Sequence, residues 1–129
     1  MNPDGEAVPF EVVVSGSHSD HEERGTAVYR SLDAWREHWA GVRHWHVRCP
    51  EPDLSGRMLI EITAGSTWTG MVRLEATRLV LRHGTLRAEV VLHDPAGAAT
   101  ADIGNPFVVM TAPLYEGTVA LDLSELHDF

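Results

Sequence analysis

The chain has no lysine and a single cysteine, and nowhere does it carry an apolar run of the roughly 18 residues that a membrane helix requires. Each absence excludes something. Cys49 alone cannot close an internal disulfide, so whatever holds the fold must come from packing. Ten arginines are the only strong cations against nineteen acidic residues, giving a formal charge of −9. The arginines are scattered singly, whereas a polyanion partner needs a clustered basic surface, so nucleic acid is not an expected ligand. The lack of lysine fits a GC-rich coding sequence and carries no functional weight. The opening MNPDGEAVPF has neither a basic nor a long apolar segment of the kind that directs export, and the expected setting is a reducing, cytoplasmic one with no membrane contact.

What is present is enough for one compact domain. At 129 residues and 43% hydrophobic content, residues 1–129 can bury a sizeable core without staples and leave no room for a second domain. Residues 1–9, with Pro3, Gly5 and Pro9, read as a flexible arm, and 15–25 and 94–105 are polar or small-residue stretches expected to be exposed loops.

The organising stretch is Met58 to His93. Met58, Ile60, Ile62 and Ala64 alternate with Glu61 and Thr63, the two-residue period of a half-buried strand, and Leu86, Ala88, Val90 and Leu92 repeat it. Between them, the apolar phase of 71–82 shifts from Val72, Leu74 and Ala76 to Leu79 and Leu81, which implies a bulge or tight turn near Thr77. His83-Gly84 reads as a hairpin turn. Upstream, residues 10–15 and Thr26 to Arg30 are strand candidates. Downstream, Phe107 to Met110 is a continuous apolar run suited to a central strand buried on both faces, and Val119, Leu121 and Leu123 mark a last strand before 124–129 trail off. Ser31 is a candidate N-cap for one amphipathic helix over Leu32 to Ala40, in which Leu32, Trp35, Trp39 and Val42 fall on one stripe. The expectation is a mostly β, α+β domain: an antiparallel sheet or sandwich of about six to eight strands with one helix packed on it.

Signatures of catalysis are missing. There is no Gly-x-Ser-x-Gly elbow, no His-Glu-x-x-His, no phosphate-binding glycine loop and no reactive-cysteine motif, so a non-enzymatic protein with no cofactor is expected. The metal candidates are His44 and His46, which point the same way if the 44–48 connector is extended, with Cys49 three residues on; His18 and His21 lie in a loop that could add ligands. No standard zinc spacing is met, and eight histidines in a polar chain otherwise belong on its surface. The strongest candidate for a binding surface is the loop Gly65-Ser-Thr-Trp-Thr-Gly70, in which Gly65 and Gly70 bound Thr67, Trp68 and Thr69. Trp68 belongs to no periodic apolar stripe, and a tryptophan on a rigid loop is a frequent interface anchor. Trp35 and Trp39, at helical spacing, are expected in the core.

Four separated pieces together resemble the C-terminal domain of the PrcB-type protease-complex subunit family. They are Asp33-Ala-Trp-Arg-Glu-His-Trp39, Pro52-Asp-Leu-Ser55, the 65–70 loop with its Thr69-Gly70 pair, and Pro106-Phe-Val-Val-Met-Thr-Ala-Pro113, covering residues 30–115. The resemblance implies an accessory subunit that binds and supports a protease without catalysing a reaction itself. The family loop reads Thr-Gly-Gly-Tyr, whereas here Met71 and Val72 follow Thr69-Gly70, so a shared ligand does not carry over. The remaining alternative is a small-ligand or metal-binding domain whose ligands converge from the His44 to Cys49 connector. Self-association is compatible with either.

Overall fold

A computed structural model describes residues 5–16, 24–40, 51–65, 73–95 and 106–128. The elements follow in the order β1 (Glu6–Ala7), β2 (Glu11–Gly16), β3 (Arg24–Tyr29), α1 (Leu32–Ala40), β4 (Arg57–Ala64), β5 (Arg73–Arg82), β6 (Thr85–Pro95), β7 (Phe107–Pro113) and β8 (Thr118–Asp128). They form two four-stranded sheets, one ordered β1-β5-β6-β8 and the other β2-β7-β4-β3. The domain is therefore mostly β with one short helix, as the alternating patterns predict.

The two sheets meet face to face. Met58, Ile60 and Ile62 of β4 and Val108, Met110 and Ala112 of β7 pack against Leu74 and Leu79 of β5 and the Leu86, Ala88, Val90, Leu92 series of β6. On the opposite side of the β2-β7-β4-β3 sheet, Leu59, Phe107 and Val109 form a second cluster with Trp35 and Trp39 of the helix. The order of layers is thus helix, middle sheet, flanking sheet. Trp35 is fully buried and Trp39 nearly so, and each ring of this size contributes several kcal/mol through the area it removes from water. Ser31 caps the helix: its Oγ accepts from the Ala34 backbone N–H at 3.1 Å.

Position in the middle layer explains why β4 departs from the sequence reading. Alternation predicts one buried face, but every residue from Met58 to Ala64 is buried, because the face carrying Leu59, Glu61 and Thr63 lies on the helix side. β7 is buried on both faces as its unbroken apolar run predicts. The 58–93 stretch is not one antiparallel sheet either. β4 lies in the middle sheet and β5 and β6 in the flanking one, so the 65–70 loop lies on a connection between layers and not within a hairpin.

The β5–β6 hairpin itself is as expected. Its pairing slips between Ala76 and Arg78, so Thr77 is the extra residue that resets the apolar phase, and its hydroxyl donates to the Glu89 carbonyl at 3.0 Å. His83 and Gly84 turn the chain with φ of 51° and 76°, the two positive angles that a primed two-residue turn demands.

Several boundaries shift outward. Within the predicted arm, Glu6 and Ala7 pair with Leu81 and Val80, and the Val8 N–H donates to the Leu79 carbonyl at 2.7 Å. The 15–25 loop loses Ser15 and Gly16 to β2 and Arg24 and Gly25 to β3, while Asp94 and Pro95 extend β6. The last strand does not trail off after Leu123. β8 continues to Asp128 and runs parallel to β6 along its whole length, from Thr85 opposite Thr118 to Pro95 opposite Asp128. That pairing is the one parallel ladder among the described strands, where an antiparallel sheet was expected.

Candidate functional site

Gly65 is the described member of the predicted binding loop. It is buried and adopts φ 80°, a left-handed angle that lets the chain leave β4 abruptly. The residue before it is held from two sides: the Ala64 N–H donates to the Pro106 carbonyl at 3.2 Å, and the Arg24 Nε donates to the Ala64 carbonyl at 3.5 Å. Because β4 is hydrogen-bonded to β3 on one edge and β7 on the other, the loop departs from a strand held along both edges. On its far side the chain re-enters the flanking sheet at Arg73, opposite His93, whose Nε2 lies 2.9 Å from a Glu75 carboxylate oxygen. Thr67, Trp68, Thr69 and Gly70 lie outside the described residues, as do the metal candidates His44, His46 and Cys49 and the loop histidines His18 and His21.

A polar cluster that sequence patterning misses occupies the helix side of the middle sheet. Glu61 is only 2% exposed, yet it sits at the centre of β4 with Ala27 of β3 on one side and Val109 of β7 on the other. A carboxylate so placed is costly unless it is paired. The partner comes from the helix: His38 Nε2 lies 3.0 and 3.2 Å from the two carboxylate oxygens of Glu61. The His38 ring in turn stacks on Tyr29, with centroids 4.9 Å apart and planes at 27°, and Trp35 meets Tyr29 edge-on at 5.3 Å. Burial first, and the neighbouring Glu61 charge second, push the Tyr29 hydroxyl up to about 12. Beside this cluster, a solvent-open recess of about 490 Å³ is lined by Arg24, Gly25, Ala27, Tyr29, Glu61 and Thr63.

One sequence signal bears on this cluster. Helical geometry puts residue 38 three positions beyond Trp35 and next to Trp39, so His38 shares the buried stripe. Nothing local marks Glu61, because a polar residue within a doubly buried strand imitates the polar phase of a half-buried one. Geometrically Tyr29, His38 and Glu61 pin α1 to the sheet, and among the described residues no group of three or more His, Cys, Asp or Glu side chains is placed to hold a metal ion. Among the described residues, no helix is long and apolar enough to cross a membrane.

Comparison of the chain with protein-family models, with curated proteins and with solved structures found no match in any of the three.

Proposed function

We propose that the chain is a non-enzymatic protein-interaction module, an accessory subunit of the kind its resemblance to the PrcB-type family implies, which binds and supports a protease. The observation that carries this reading is the anchoring of Gly65. It follows a strand paired on both edges and buried on both faces, and the Ala64 peptide groups beside it are hydrogen-bonded to Pro106 and Arg24. A loop leaving so fixed a base has little freedom to lose at that end on binding, and an aromatic anchor on such a loop adds large contact area with few rotamers to freeze. Gly65, Thr67, Trp68, Thr69 and Gly70 form the proposed contact surface, with Trp68 as its anchor.

The test is capture of proteases from the native host on immobilised chain, wild type against Trp68→Ala. The expected result is a protease retained by the wild type and released about thirtyfold more readily by the variant, equivalent to about 2 kcal/mol, with the melting temperature unchanged. Equal retention by both proteins, or no protease on the wild type, would refute the reading.

A further inference from the structure

The two sheets end in four terminal strands, and three of them are protected against pairing with another chain. β1 has two residues. β2 is kinked by a register slip between Val12 and Val14. β3 starts at Arg24 and is followed by Arg30, and the Arg24 side chain reaches Glu125 at 3.4 Å. Shortness, bulges and charged residues at an edge are the usual devices for keeping it from recruiting a further strand.

β8 has neither shortness nor a bulge, and between Thr118 and Ser124 its one charged residue is Asp122. It runs for 11 residues with no slip in its pairing to β6, contains no proline or arginine, and has no strand hydrogen-bonded to its other edge among the described residues. Its core-facing Val119, Leu121 and Leu123 pack on the main cluster but are only partly buried, so apolar surface remains that one more strand would cover. Arg24 closes the corner at Glu125, which leaves the stretch from Thr118 to Ser124.

Charge selects the occupant. β8 carries Asp122, Glu125 and Asp128, and Asp122 lies directly beside Glu89 of β6. These two carboxylates, with the Thr77 and Ser124 positions, line a shallow recess of about 580 Å³ on the outward face of the flanking sheet. Arg78 stands opposite Glu89 on β5, but the ion pairs among the described residues do not include it. A second copy docking antiparallel about a two-fold axis at Asp122 would set that carboxylate against its own counterpart, and one centred on Leu121 would leave the two carboxylates at diagonal positions on one face; like charges so close across a strand pair are destabilising. An arriving strand with arginine or lysine would instead extend the Glu89–Asp122 row with the opposite charge.

We propose that the outer edge of β8 between Thr118 and Ser124 accepts an extended, basic segment of a partner polypeptide as an added strand. Main-chain hydrogen bonds would supply affinity, and the Glu89–Asp122 recess would select the basic side chain. This surface is separate from the 65–70 loop and does not depend on the protease reading.

The probe is the capped peptide acetyl-Thr-Lys-Val-Lys-Val-Lys-Thr-amide, with a control in which glutamate replaces each lysine. The full chain should bind the basic peptide at least tenfold more tightly than the control, and alternate backbone amides between residues 118 and 124 should gain protection from hydrogen exchange. Asp122→Lys should reverse the peptide preference; Asp122→Asn, gentler to the fold, should abolish it, and Trp68→Ala should leave it intact. Failure of the basic peptide to saturate, equal affinity for both peptides, protection mapped elsewhere, undiminished preference in Asp122→Asn, or self-association through β8 in sedimentation would each overturn the proposal.

Discussion

The middle and flanking sheets have the same number of strands and share one core, but they differ in how many faces are covered. Both faces of the middle sheet's central strands are buried, one against the flanking sheet and one on the helix side. On the flanking sheet the outward positions Arg73, Glu75, Arg78, Arg82 and Arg87 are exposed. The difference decides what a single substitution does. In the central strands of the middle sheet each side chain, polar or apolar, is enclosed by neighbours and must be matched by them. On the outward face of the flanking sheet water fills that role except at Val80, which is buried beside Gly5, and charged residues are tolerated at little cost.

The sharpest contrast should come from the helix that covers the middle sheet. Trp35→Ala leaves a void where a fully buried indole packs against Leu59, Phe107 and Val109, and is expected to lower stability by about 3 to 5 kcal/mol in denaturant unfolding. A loss below about 1 kcal/mol would mean that the helix is not an integral layer.

Next in size is the polar pair inside that layer. His38→Ala removes the ring 3.0 Å from a carboxylate that is 2% exposed, leaving Glu61 short of a hydrogen-bond partner inside the fold. About 2 to 3 kcal/mol should be lost, the scale for hydrogen bonds to a charged group, and much of it should return in His38→Ala combined with Glu61→Leu. No recovery in the double variant would show that the histidine acts by packing alone.

Tyr29 adds a pH signature to the same region. Its folded-state value lies above the ordinary 10.0, so the proton binds more tightly in the folded chain; the contribution is complete below about pH 10 and disappears as pH rises towards 12. Unfolding midpoints should fall more steeply over that window in the wild type than in Tyr29→Phe, and identical slopes would place the hydroxyl in water. The smallest effect belongs to the flanking sheet: Arg87→Ala on its outward face should change stability by no more than about 0.5 kcal/mol. A core-like loss there would mean that this face is covered after all.

The same contrast governs what can be read from the sequence. β6 is legible because one face meets the core and the other is outward: Leu86, Ala88, Val90 and Leu92 state its orientation outright. The helix is legible for a similar reason, since Ser31 and the Trp35–Trp39 spacing give its start and its buried stripe. β4 misleads, because Glu61 and Thr63 mark a polar phase on a face that turns out to be inside, and the partner that makes Glu61 tolerable lies 23 positions away on another element. Of the proposed loop, the geometry of Gly65 follows from its residue type, whereas the fact that its two ends belong to different layers depends on long-range pairing that no local pattern records. β8 is half legible. Val119, Leu121 and Leu123 announce a strand, but a parallel partner reached only after another whole strand leaves no trace in the residues between.

That parallel ladder also bears on how the chain assembles. The β5–β6 hairpin needs only the His83-Gly84 turn to close and can form early. The β6–β8 ladder closes a far longer loop, because Thr85 meets Thr118 across the whole of β7, and β7 itself joins β2 from near the start of the chain. Pairings of such separation carry the loop-closure entropy that slows β-rich domains. Until they form, the flank of Leu86, Ala88 and Val90 stands uncovered. The period between closing the hairpin and docking β8 is therefore when a nascent chain is most exposed to aggregation or to a chaperone's grip.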